Sequence, residues 1–175
     1  MDLNAVIEAF STDDGSLPDI NLDFGEAPIA GDAYAMIQSR ATHLVSTDAY
    51  YWSKSRQEEC PIKYGDNPAI EYLRGEADSF HVVFGGLRSS AESPIPDLGV
   101  FVLGPGYVAL DYRMGAEWNE AAIIGLFELL RDLSCLAREV QITNVNFLYD
   151  PDGKIMSSAF NGWLAANHSL QGQRP

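Results

Sequence analysis

Apolar residues at Leu3, Val6, Ile7 and Phe10 recur at helical spacing and predict a short helix over residues 2–10. The turn-forming run Ser11-Thr12-Asp13-Asp14-Gly15-Ser16 then reads as a loop. From Asp19 to Phe24 polar and apolar residues alternate strictly. That pattern predicts a strand that buries Ile20, Leu22 and Phe24 and leaves Asp19, Asn21 and Asp23 in water. Apolar positions 33, 36, 37, 41, 44 and 45 predict a second helix over 33–45 with Asp32 as its N-cap. The aromatic run Tyr50-Tyr51-Trp52 follows, then a polar stretch, one or two helical turns over 68–73, and a strand over 80–84 closed by Gly85-Gly86. Residues 88–96 read as a polar loop.

The second half has a clearer pattern. Val100 to Leu103 and Tyr107 to Tyr112 predict two strands around the tight turn Gly104-Pro105-Gly106. A long helix is expected from Glu117 or Asn119 to Ala137, capped by Asn119, with Trp118 stapled onto Ile123. Only Glu120, Glu128, Arg131 and Asp132 form its polar strip, so it should lie against the sheet with most of its circumference buried. Residues 140–149 predict a strand with a bulge, and Asp150-Pro151-Asp152-Gly153 carries the β-turn signature of Pro second and Gly fourth. A strand over 154–157, a short closing helix over 160–166 and a polar tail over 167–175 complete the expectation. Strands grouped around one long helix, without strand–helix alternation, predict an α+β fold. Its mostly antiparallel sheet packs on that helix, with shorter helices near the termini, in a single domain over 1–166.

Composition fits a folded globular chain: 175 residues, 46% of them hydrophobic. Charge changes the picture. The chain has 25 Asp and Glu against 11 Lys and Arg, a formal net charge of −14. Eight acids and no Lys or Arg stand before Arg40. Such a chain repels nucleic-acid phosphates and anionic lipid, so neither is an expected partner. A positively charged protein fits it better. The acidic N-terminus, followed by no apolar core, does not read as a secretory signal, and the expected location is the cytoplasm. There Cys60 and Cys135 are expected as thiols, with Cys135 in the core of the long helix.

No motif announces a chemistry. Asp19-x-Asn21-x-Asp23 copies the start of a calcium loop, but Phe24 and Ala30 stand where Gly and Glu belong. Gly104-Pro105-Gly106 lacks the Lys-Ser/Thr of a phosphate loop, and Pro105 removes a donor N–H. His43, His81 and His168 show no zinc-ligand spacing, and no nucleophile elbow is present. We therefore expect no metal, no cofactor and no catalytic residue. Tyr51 and Trp52, if partly exposed, are of the type that anchors interfaces.

The run Gly104 to Tyr112 leading into Glu117-Trp118-Asn119, together with Leu126 to Leu133, covers about a third of the chain. With the acidic composition, it resembles the immunity proteins that bacteria pair with polymorphic or type VI secretion toxins. The resemblance implies a cytoplasmic neutraliser that binds its toxin one-to-one, rather than an enzyme. Independently of it, nuclease toxins carry basic clefts, so an acidic chain would be steered to occlude one, a DNase first of all. Asp13, Asp14, Asp19, Asp23 and Glu26 are the expected docking acids, with Tyr51 and Trp52 as anchors. The alternatives are a small hydrolase-type enzyme acting on a small cytosolic substrate, which requires a concave pocket with a perturbed carboxylate or thiol, and a regulatory module with no toxin partner.

Overall fold

The computed structural model describes residues 3–145 and 150–171. The chain is α+β. Its centre is a six-stranded, wholly antiparallel sheet built from β1 (Asp19–Asp23), β2 (His43–Leu44), β5 (Phe80–Gly85), β8 (Leu98–Gly104), β9 (Tyr107–Tyr112) and β10 (Gln141–Val145). The order across the sheet is β10-β1-β9-β8-β5-β2. Two small ribbons flank it: β3 (Tyr50–Ser53) with β4 (Glu58–Pro61), and β6 (Leu87–Arg88) with β7 (Pro94–Ile95). The stretch expected as a loop over 88–96 thus carries half of the second ribbon.

One sheet face forms the core. Ile20 and Leu22, Val82 and Phe84, Leu98, Val100 and Val102, and Val108, Leu110 and Tyr112 are essentially inaccessible. They share a continuous cluster with side chains from α1 (Leu3–Ser11), α2 (Ala30–Arg40), α4 (Glu120–Ser134) and α5 (Lys154–Gln171). Each large aliphatic side chain removed from water in this way contributes about 1.5–3 kcal/mol. An aromatic triad ties three elements together. Phe10 of α1 stacks on Tyr112 of β9 at 4.3 Å, and Trp118, just before α4, meets both edge-on at 5.1 and 5.3 Å. The Gly104-Pro105-Gly106 turn is a hairpin turn that also clasps the segment after β1: Phe24 N–H donates to Gly106 O and Ala30 N–H to Pro105 O, both at 2.8 Å.

The expected α1, β1, β5, β8 and β9 are present, and the one-or-two-turn helix over 68–73 is α3 (Pro68–Leu73). The second helix begins earlier and ends sooner than its apolar spacing suggests. Ile29 holds the cap position, Asp32 sits in the first turn, and His43 lies in β2 rather than on a helix. Asn119 does cap α4, accepting from Ala122 N–H, but α4 stops at Ser134 and spans about 22 Å. Cys135 then sits at its C-cap, exposed rather than in the core, while Cys60 is buried and both thiols are free.

α4 is not the one long helix, because α5 has 18 residues against its 15. The strand expected over 154–157 is the first turn of α5, the closing helix over 160–166 is its middle, and the helix continues through Gln171. The strand expected over 140–149 is present as β10 to Val145; its remainder, and residues 172–175 of the expected tail, lie outside the described residues.

Asp150 explains why 154–157 is helical. Its carboxylate accepts from the backbone N–H of Lys154 (2.8 Å), Ile155 (2.7 Å) and Met156 (3.4 Å), while its carbonyl closes the turn with Gly153 N–H. Those donors have no partner inside a helix, and a carboxylate at the positive end of the helix dipole satisfies them. Asp150→Ala should therefore cost about 1–2 kcal/mol in urea unfolding, with Asp150→Asn keeping part of the loss back.

Candidate functional site

The second face of the sheet points away from the helices. Strand register fixes its members: Asp19, Asn21 and Asp23 on β1, Tyr107, Ala109 and Asp111 on β9, Gly99 and Phe101 on β8, and His81 and Val83 on β5, while Leu103 is the unpaired residue of a bulge in β8. Among the described residues, no strand position on this face is Lys or Arg. Phe101 is 38% exposed and Leu103 45%, far above what an isolated strand side chain on a covered face would show. Antiparallel sheets commonly leave one face to solvent, but that face is usually polar. Here it is acidic on β1 and apolar on β8.

At the middle of the face His81 Nε2–H donates to Asp111 Oδ1 at 2.6 Å, and the imidazole stacks on Phe101 at 4.7 Å. His81 and Asp111 stand on strands that are not neighbours, because β8 runs between them. They meet because the intervening residue is Gly99, where any Cβ would collide with both Asp111 Oδ1 and His81 Nε2. Asp19 lies across from Asp111 on β1. Burial, with the Asp111 charge second, raises its pKa above the ordinary carboxylate range, and His81 partly offsets this. Tyr107 donates to Asn21 Oδ1 at 2.8 Å, and burial with the Asp23 and Asp19 charges raises its pKa. No hydroxyl or thiol hydrogen-bonds the His81 ring among the described residues. The Asp111 contact holds the ring over Phe101.

At the β5 edge, the β3–β4 ribbon is tied to the start of β5. Lys54 N–H donates to Glu76 O (2.8 Å), Asp78 N–H donates to Trp52 O (3.1 Å), and Ser53 bridges Ala77. This anchoring sets Tyr50 (50% exposed) and Trp52 (37%) beside His81 and Phe101. Tyr51 is half-buried; its hydroxyl accepts from Arg56 at 3.0 Å, and its pKa is raised by burial and by neighbouring Cys60.

The residues expected to dock a partner divide into four places. Asp19 and Asp23 are exposed on the sheet face itself. Asp13 and Asp14 lie in the loop before β1, where each carboxylate accepts a backbone N–H two residues on; hydrogen bonds from Ser16 lower the pKa of Asp14. Glu26 is at the other end of β1, in the turn after Asp23, whose own carboxylate accepts from Gly25 N–H. Tyr51 and Trp52 are at the far edge of the face, about 14 Å or more from β1 at ordinary strand spacing. Sequence reading missed Phe101, Leu103 and Asp111, and weighed His81 only as a histidine without zinc-ligand spacing. One signal was present: Val100-Phe101-Val102-Leu103 is apolar on both strand faces, which a half-open sheet does not require.

Among the described residues, no group of three or more His, Cys, Asp or Glu is placed to hold a metal ion. No helix there is long and apolar enough to cross a membrane. Comparison with family models, curated proteins and solved structures returns no match.

Proposed function

We propose that this chain is a cytoplasmic immunity-type inhibitor. It uses the open sheet face to cover the basic active-site region of a toxin, a secreted nuclease first of all, in a one-to-one complex. The observation that carries the reading is the face itself: Asp19, Asp23 and Asp111 share it with exposed Phe101, exposed Leu103 sits at the adjoining bulge, and among the described residues no strand position on it is Lys or Arg. Exposed apolar side chains beside carboxylates that meet no Lys or Arg fit a cationic protein surface better than they fit water. The acids would set the association rate, whereas the apolar residues would set residence time, because buried ion pairs return little net affinity after desolvation.

The test is co-expression with the product of the adjacent reading frame. A toxin that is lethal alone and tolerated with this chain, and that purifies with it one-to-one, supports the reading. A neighbour that is harmless or does not bind sinks it. Given such a partner, Asp19→Asn with Asp23→Asn should slow association about tenfold at low salt and flatten its salt dependence, as read by stopped-flow mixing. Folding raises the Asp19 pKa, so neutralising this group is not expected to cost stability at neutral pH. A carboxyl whose pKa is raised by folding loses stability as pH climbs through that pKa. A parent-like urea midpoint for the double variant would assign slowed binding to docking and not to unfolding.

A further inference from the structure

The structure assigns a specific contact on this face: the groove between the β3–β4 ribbon and the open sheet receives an arginine side chain of the cationic partner. The assignment rests on the docking reading above and adds the kind of side chain recognised. The groove has a volume of about 420 Å³ and is lined by Asp48, Tyr50, Trp52, Ser79, His81 and Phe101, among others. Three of its walls are aromatic side chains left more than a third exposed, namely Tyr50, Trp52 and Phe101.

A guanidinium is planar and weakly hydrated and stacks on aromatic faces, while an ammonium is compact and strongly hydrated. The groove offers such faces together with the exposed carboxylate of Asp48. No Lys or Arg lines it. The cations that follow β3 are engaged elsewhere, Arg56 with the Tyr51 hydroxyl and Lys54 with Asp78. The His81–Asp111 pair holds the imidazole flat against Phe101, so the floor is ordered before a ligand arrives. Charge complementarity and preformed stacking surfaces thus point to the same occupant.

The probe is a hexaarginine peptide, with hexalysine and hexacitrulline as controls, titrated at 0.3 M salt to suppress general attraction to an acidic protein. Binding is followed by the three tryptophan indole N–H resonances, with Trp52 assigned through Trp52→Phe. Hexaarginine should shift the Trp52 resonance saturably and leave those of buried Trp118 and Trp163 in place. Hexalysine should bind at least fivefold more weakly, and hexacitrulline not at all. Trp52→Ala and Phe101→Ala, both at exposed positions and both read by isothermal titration calorimetry alongside the parent, should each weaken binding about fivefold or more. An unmoved Trp52 resonance, equal affinity for hexalysine, or native affinity in both variants would overturn the assignment. If those variants bind weakly yet a natural partner still associates with Asp19- and Asp23-dependent kinetics and native affinity, the docking reading survives and the groove contact fails in the complex. If hexaarginine behaves as expected but no neighbouring toxin is bound, the groove stands and the immunity reading fails.

Discussion

Replacing Trp118 with alanine is expected to cost about 3–5 kcal/mol, the range for removing a fully buried aromatic side chain. Trp118 has no exposed surface and meets Phe10 and Tyr112, which stack on each other. Its indole N–H donates to Arg113 O at 2.8 Å. Alanine would empty the junction of α1, β9 and α4 and leave that carbonyl short of a partner. The loss approaches half the stability of a typical domain, about 5–15 kcal/mol in total. Urea unfolding followed by far-ultraviolet circular dichroism should show a large drop in midpoint with little change in slope. Trp118→Phe, which keeps an aromatic ring and forfeits the hydrogen bond, should lie between the two. A native-like midpoint for Trp118→Ala would mean that α1 is not anchored through this triad.

Gly106→Ala should be the next most damaging change, at about 2–3 kcal/mol, for a reason unrelated to backbone freedom. A Cβ at Gly106 would meet the carbonyl oxygens of Gly25 and Ala27, the second at 2.6 Å. Both obstacles are main chain, so no side chain can swing aside. The same turn is pinned to that segment through Phe24 N–H and Ala30 N–H. The methyl group must therefore push the β8–β9 hairpin away from the chain that leads from β1 into α2. Gly104→Ala is the control. Its methyl would meet Tyr107 Cβ at 3.1 Å, and it should cost less than about 1 kcal/mol in the same urea experiment. Equal losses at the two glycines would show that the turn, not its clasp, is sensitive.

These two positions also show what the sequence made legible. Gly104-Pro105-Gly106 could be identified as a turn from its residues, yet its grip on residues 24–30 depends on β1 lying beside β9. The alternation from Asp19 to Phe24 correctly separated buried from exposed side chains because it is a local property of one strand. Lys154 to Ser157 was misread as a strand because four residues carry too little periodicity. The deciding group, Asp150, acts on N–H groups four to six residues ahead.

The second helix was set too late because Gly31 and Asp32 resemble a helix boundary. In the fold Gly31 packs against Leu73 and Ile70 of α3, where a larger side chain would crowd them. The docking face was the least legible feature. Asp19 and Asp23 could be named, but His81 and Asp111 are 30 residues apart and meet only over Gly99, which the strand order places between them. Exposure at Phe101 and Leu103 likewise depends on which side the helices occupy.

The position of β1 also bears on how the chain matures. It pairs with residues 107–112 and 141–145 and belongs to no hairpin, so the earliest strand to be synthesised waits longest for its neighbours. Long-range pairing of this kind makes assembly slow. An unpaired apolar strand invites association with other unfinished chains, and charged residues are a common protection against it. Asp19 and Asp23, exposed at the two ends of β1, are charges of this kind. The carboxylates proposed to meet a partner in the finished protein would thus already have guarded solubility on the ribosome.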